Sequence, residues 1–317
     1  MKKDKKVVCL GGGIGTMNLV KGLKEYTDNM TVVVSMADDG GSAGRLRRLY
    51  KIPPPGDLVS CVSAMSNTDP ILRDLLTFRF LGDRYGSDSS LPGQKLGNLI
   101  LVALTSMTGD FYKAVLELQR IYKTSGRILP STTDSISIWA QTSLGEKIQG
   151  EQHIDLGHFK GRIEKVFLEP KNPKVLDEVK NAIKQADLII AGPGDLYTTI
   201  IPVLLIPDIL ESLKESKAKK LFIINVANKV SETRDYKIED YVKAVVRHCG
   251  DPLFDLFLAN DNHSFGIPKK WLKQYSCVPL LDGVKKEYKV VQEDLIDENF
   301  PLYHNSKKLA RSVWKFI

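Results

Sequence analysis

Four consecutive apolar residues, Val7-Val8-Cys9-Leu10, run straight into Gly11-Gly12-Gly13-Ile14-Gly15-Thr16. Few folds accept that join. The apolar run suits a strand buried in a parallel sheet. The glycines permit a sharp turn and a close approach of backbone to a ligand. An apolar-periodic run (Met17, Leu19, Val20, Leu23) starts right after Thr16, which reads as a helix N-cap. Strand, glycine turn and helix start together aim backbone N–H groups at an anion, commonly a phosphate.

The same alternation continues along the chain. A strand over 31–36 completes a βαβ unit, whose crossover is expected to be right-handed. The loop 37–45 follows, then Pro53-Pro54-Pro55-Gly56-Asp57. Helices are expected over 57–66 and 70–81, with Asp57 and Asp69 as caps. The polar stretch 82–93 reads as a surface loop. Residues 96–104 are apolar nearly all round and predict a central buried helix. An amphipathic helix over 110–123 comes next, then a small β-rich excursion over 127–166, with 164–168 resuming the parallel pattern.

Helices over 175–185, 207–215 and 238–248 alternate with strands over 187–191, 221–225 and 256–260. Short strands at 277–280 and 288–291 and a closing helix over 307–317 end the chain. The expected class is a Rossmann-like, doubly wound α/β fold with a mostly parallel sheet. A single domain covers 1–317, with ligands at the carboxyl ends of the strands.

Composition restricts the function. No apolar run approaches the roughly 20 residues that span a bilayer. The start, Met1-Lys2-Lys3-Asp4-Lys5-Lys6, has no signal-peptide character. Cys9, Cys61, Cys249 and Cys277 are scattered and suit reduced thiols, so a cytoplasmic protein without a structural zinc is expected. The formal charge is +7, with basic residues near both ends and in Arg45-Leu46-Arg47-Arg48. No helix-turn-helix, zinc finger or aromatic RNA-binding motif accompanies them. A pocket for anionic small molecules is therefore expected, with no specific nucleic acid and no membrane partner.

The first loop completes no dinucleotide fingerprint, because Thr16 and Asn18 stand where a third glycine belongs, and no Gly-Lys-Ser/Thr follows. Asp38 and Asp39 follow the second strand, where carboxylates bond a ribose hydroxyl, hold Mg²⁺ through water, or cap the next segment. Gly40 and Ser42 stand beside them. Asp57, next to Gly56, either caps its helix or borders the same crevice. Asn98, an amide among leucines, either pins a loop or meets a ligand. Gly192, Pro193, Gly194, Asp195, Leu196, Tyr197 and Thr198 repeat the opening logic after another strand, and Asn225 and Asn228 lie at the same edge. No nucleophile-and-base arrangement stands out. His153 and His158 lack the companions of a metal site.

Several stretches together resemble the gluconeogenesis-factor (YvcK-type) family, related to the CofD 2-phospho-L-lactate transferases. They are Gly11-Gly12-Gly13-Ile14-Gly15; 37–47, including Arg45; Pro54-Pro55-Gly56-Asp57; 78–83; Leu96-Gly97-Asn98-Leu99-Ile100; and Gly192 to Thr198. Order and spacing fit from residue 7 to about 260, beyond which the resemblance fades. Ile14, Val59-Ser60, Gln94 and Asp195 depart from the family pattern.

The resemblance implies a Rossmann-like fold and a UDP-sugar ligand such as UDP-N-acetylglucosamine, in a regulator of cell shape and of growth on gluconeogenic carbon. Its phosphates would lie on 11–15 and 192–198, with ribose or sugar near Asp38, Asp39 and Asn98. The family also brings an aromatic and a basic residue from beyond 260 to the ligand, here Phe265 and Lys289. A homodimer is compatible with the chain. The alternative is a CofD-type enzyme that transfers a phospholactyl group from a nucleotide donor. Only that reading calls for Mg²⁺, on the candidate catalytic residues Asp38, Asp39 and Asp57.

Overall fold

The computed structural model describes residues 4–250, 253–279 and 288–317. The strands are β1 (Val7–Gly11), β2 (Met30–Val34), β3 (Arg127–Pro130), β4 (Ser137–Thr142), β5 (Lys147–Gln149), β6 (Ile163–Glu169) and β7 (Leu188–Ala191). They continue with β8 (Lys219–Ile223), β9 (Ala227–Lys229), β10 (Leu256–Asn260), β11 (Tyr275–Cys277) and β12 (Lys289–Glu293). Seven form one sheet in the order β12-β10-β8-β7-β1-β2-β3, parallel at every pairing. The sheet winds outward from β1 in one direction and from β7 in the other. The switch point therefore falls between β1 and β7, and a crevice opens outside their carboxyl ends. These two strands carry the first and third glycine loops.

β1 and β7 are buried along their whole length because helices cover both faces, which is why they read as unbroken apolar runs. The helices up to β3 are α1 (Gly13–Leu23), α2 (Gly41–Tyr50), α3 (Gly56–Met65), α4 (Pro70–Thr77), α5 (Leu96–Thr108) and α6 (Phe111–Ile121). α1 packs against the last helix, Ser306–Trp314. Gly22 permits this approach, since a Cβ there would overlap the Ser306 carbonyl.

Several expectations are corrected. Residues 127–130 are not part of the β excursion: β3 pairs with β2 at the edge of the main sheet. β6 does not resume the parallel sheet. It pairs antiparallel with β4, burying Ile163, Val166 and Leu168 and exposing Glu164 and Lys165, the pattern of a strand covered on one face. α5 is not central. Leu101 and Val102 are buried, but Leu99, Ile100 and Leu104 are half-buried and Met107 is 81% exposed. An unbroken apolar run has no periodicity to report which face stays uncovered.

Two of three expected caps differ. Thr16 lies inside α1, behind the N-cap Gly12. Asp57 lies inside α3, behind Pro55. Asp69 stands at the N-cap of α4 without a side-chain bond to it, and α4 ends at Thr77, short of residue 81. The strand expected over 277–280 runs instead over Tyr275–Cys277, and Leu280 lies outside the described residues. No single described helix is long and apolar enough to cross a membrane.

Candidate functional site

The crevice at the switch point encloses about 420 Å³. Its inner wall is the β1–α1 turn, where Gly13 takes φ +67°, open to glycine at little steric cost. The Gly12 N–H donates to Thr16 Oγ1 at 2.9 Å, and the Thr16 hydroxyl donates to the Pro193 carbonyl at 3.3 Å. Thr16 thus closes the turn from inside and joins the first loop to the third. A Cβ on Gly15 would lie 2.5 Å from the Pro193 carbonyl oxygen, so only glycine lets the two loops meet. On the third loop, Gly194 N–H donates to Asn225 Oδ1 at 3.0 Å and Asn225 Nδ2 returns a bond to the Gly194 carbonyl at 2.9 Å.

Internal carboxylates occupy both helix starts. Asp57 lies against the first turn, where a Cβ on Gly12 would overlap its Oδ2 and the nearby Gly13 N–H favours its charged form. Glu232 accepts the Tyr197 N–H at 2.7 Å, the Thr198 N–H at 3.3 Å and the Thr198 hydroxyl at 2.6 Å, at the start of the turn Leu196–Ile200. Burial and Asp195 push Glu232 up to about 7, against the pull of Lys229. Lys229 Nζ donates to Asp195 Oδ2 at 2.8 Å and to Asp155. Burial opposes its charge, but Asp195, Glu232 and Asp155 outweigh burial and raise its pKa.

The second loop supplies Asp38, whose Oδ1 accepts the Gly40 N–H at 2.9 Å. Burial, and after it the nearby Asp57, push Asp38 up to about 7. Burial also raises Asp57, with Lys95 opposing. Asp39 turns away: it accepts the N–H groups of Glu151 (3.1 Å) and Gln152 (2.9 Å) and so caps the short helix Glu151–Leu156. That cap delivers Glu151 and Asp155 to the crevice. Burial, Asp38 and Asp155 raise the Glu151 pKa well above the usual range. Five carboxyl side chains (Asp38, Asp57, Glu151, Asp155, Asp195) and two cations, Arg84 and Lys229, line the cavity.

Of the residues singled out in the sequence, Gly12, Gly13, Ile14, Gly15, Asp38, Gly40, Asp57, Pro193, Gly194, Asp195, Thr198 and Asn225 line the crevice. Others lie outside it for identifiable reasons. Gly11 ends β1, Gly192 N–H is bonded to the Leu10 carbonyl, and the Gly56 carbonyl accepts the Ser60 hydroxyl. Ser42 Oγ accepts from Arg79. Arg45 is buried and donates to the carbonyls of Asp83, Ser90 and Pro92, so it fixes the loop 82–93. Asn98 is buried in α5 and its amide has no bond to another described group.

Leu196 is core, and Tyr197 points inward to bond the Tyr236 hydroxyl at 2.7 Å. Asn228, also at that edge, is buried and bonds the Tyr236 carbonyl and the Tyr241 hydroxyl. Phe265 is half-buried in the loop after β10 and is not in the lining. Lys289 begins β12 opposite Leu256, the first residue of β10, which puts it at the amino end of the parallel strands, away from the crevice.

Sequence reasoning missed Arg84 and Tyr85, which the loop 82–93 brings to the rim, and Glu151, Asp155 and Lys229. It also missed Tyr275, Tyr303 and His304. Burial pushes His304 down to about 4, so its ring is neutral at pH 7, with Nε2 unbonded among the described groups. The glycines 82, 86 and 93 around Arg84 carry some signal; the others reach the crevice only through tertiary packing.

This sheet order, with a polar crevice at its switch point, defines a protein of the Rossmann-like α/β class. The family model for 2-phospho-L-lactate transferase CofD matches residues 7–298. The gluconeogenesis factor of Bacillus subtilis is 39% identical over 308 residues, 96% of this chain and 94% of that protein. The gluconeogenesis factor of Halalkalibacterium halodurans is 36% identical over 321 residues, 98% of this chain and 96% of that one. A crystal structure of a UPF0052-family protein from Bacillus halodurans matches with a TM-score of 0.90 at 34% identity, covering 99% of this chain and 100% of that one. The chain belongs to the gluconeogenesis-factor family, related to CofD. The family match does not fade at 260; it runs through the strands beyond.

Proposed function

We propose that the protein is a cytoplasmic regulator that binds a nucleotide-sugar, of the UDP-N-acetylglucosamine kind, and acts in cell shape and carbon metabolism. The observation that carries this reading is the meeting of the first and third glycine loops, joined through Thr16 and Pro193, at the switch point of a parallel sheet. Such points take nucleotide-type ligands, and about 420 Å³ lies within the range of small-molecule sites. The Thr198 hydroxyl meets Glu232, but that carboxylate also holds two backbone N–H groups, which is the arrangement of a cap rather than of a base beside a nucleophile.

Identification by mass of small molecules released on denaturing the purified protein tests the reading. A UDP-sugar supports it. Release of nothing, together with no thermal stabilisation by millimolar UDP-N-acetylglucosamine, overturns it.

The second reading, a CofD-type phospholactyl transferase, is favoured by Asp38 and Asp57. Two half-buried carboxyl groups whose charges oppose each other form a hard oxygen donor set that fits Mg²⁺. These residues would hold the ion, which would supply charge neutralisation at phosphate oxygens. The cluster Asp155, Asp195 and Glu232 fits a cation less well. Lys229 already bonds two of its members, and Glu232 is filled by Tyr197 and Thr198.

A further inference from the structure

A phosphate-bearing ligand faces an unusual problem in this crevice. The lining carries five carboxyl groups against two cations. Several of the backbone donors expected to seat a phosphate are already engaged: Gly12 by Thr16, Gly194 by Asn225, and Tyr197 and Thr198 by Glu232. Lys229 is held between Asp155 and Asp195. That leaves Arg84. Its guanidinium has no hydrogen bond or ion pair with another described residue; its recorded contact is with the ring of its neighbour Tyr85, 5.0 Å away. It influences Asp38 across the cavity without touching it.

Arg84 is also held in place for the role. The buried Arg45 ties down the loop that carries it through the carbonyls of Asp83, Ser90 and Pro92, and Arg48 pairs with Asp88 at 2.8 Å. A Cβ on Gly41 would fall 2.6–3.0 Å from the Arg84 guanidinium, so glycine at 41 makes room for it beside the second loop. A fixed, unpartnered guanidinium facing a cavity offers a planar fork of donors suited to two phosphate oxygens.

We infer that Arg84 is the anion clamp of the crevice, the residue that selects ligands carrying a diphosphate. This rests on the reading of the crevice as a nucleotide-sugar site.

The test is calorimetric titration of the full chain and of Arg84→Ala and Arg84→Lys with three probes: UDP-N-acetylglucosamine, inorganic pyrophosphate and uridine. Arg84 is exposed, so both variants are expected to keep the wild-type melting temperature. Loss of a charge-assisted bidentate contact predicts about 10- to 100-fold weaker binding of the two diphosphate probes to Arg84→Ala. Arg84→Lys should recover only part of it, and uridine binding should be unchanged. Binding of both diphosphate probes within threefold of wild type overturns the clamp. If wild type binds pyrophosphate but not the nucleotide-sugar, and Arg84→Ala loses pyrophosphate, the clamp stands and the nucleotide-sugar reading falls. If wild type binds neither diphosphate, both fall.

Discussion

Thr16 Oγ1 lies 2.9 Å from the Gly12 nitrogen, and the same hydroxyl reaches the Pro193 carbonyl. One buried side chain therefore holds β1 to α1 and the first loop to the third. Thr16→Val keeps the shape but leaves the Gly12 N–H buried without an acceptor, at an expected cost of about 1–3 kcal/mol. Thr16→Ser should recover most of it. Urea midpoints of the two variants decide: equal stability of wild type and Thr16→Val would show that the bond does not organise the turn.

Lys229 joins β9 to two acidic side chains contributed by other parts of the chain. Lys229→Met removes the cation and leaves Asp155 and Asp195 facing buried Glu232. Breaking a half-buried pair from one side predicts a loss of about 1–3 kcal/mol, between the exposed and the fully buried case. The double change Lys229→Met with Asp195→Asn should be milder than Lys229→Met alone. If the double variant is the less stable of the two by chemical denaturation, charge balance is not what Lys229 provides.

Asp38 makes stability depend on pH in a defined direction. Its carboxyl ionises near 3.8 unfolded and at about 7 in the folded protein. Between those values the folded state holds a proton that the unfolded state has released, so stability falls as pH rises from about 4 to 7 and levels off above. Asp57, Glu151 and Glu232 are raised as well and add in the same direction. Asp38→Asn should flatten part of this slope, so its advantage over wild type should grow from pH 4 to pH 7. Denaturation midpoints at several pH values check this, and parallel profiles would contradict it.

Gly15→Ala tests the contact between the loops. The added methyl meets the Pro193 backbone rather than a flexible side chain. Overpacking of this kind predicts a loss of roughly 1–3 kcal/mol. It should also move the third loop away from the first, weakening ligand binding more than tenfold while the far-UV circular dichroism stays that of wild type. Unchanged affinity would show that the two loops do not act as one wall.

Much of the fold was legible because strand identity is a short-range property. The apolar runs at 187–191, 221–225 and 256–260 each hold a strand of the main sheet, and the glycines after β1 and β7 mark its switch point. Side-chain direction was not legible. Arg45 and Tyr197 sit in loop motifs beside crevice residues, yet helical geometry turns Arg45 under the loop 82–93 and Tyr197 toward Tyr236. Asp39 neighbours Asp38 but caps a helix more than a hundred residues away. Glu151, Asp155 and Lys229 reach the crevice only once the sheets and loops have packed, so no local pattern points to them.

The proposed ligand of the crevice between β1 and β7 is a nucleotide-sugar. Isothermal titration of the purified protein with UDP-N-acetylglucosamine tests it most directly. Saturable binding at one site per chain, lost or strongly weakened by Gly15→Ala, is the predicted result. The absence of binding heat at millimolar ligand, or an affinity that Gly15→Ala leaves untouched, would contradict it.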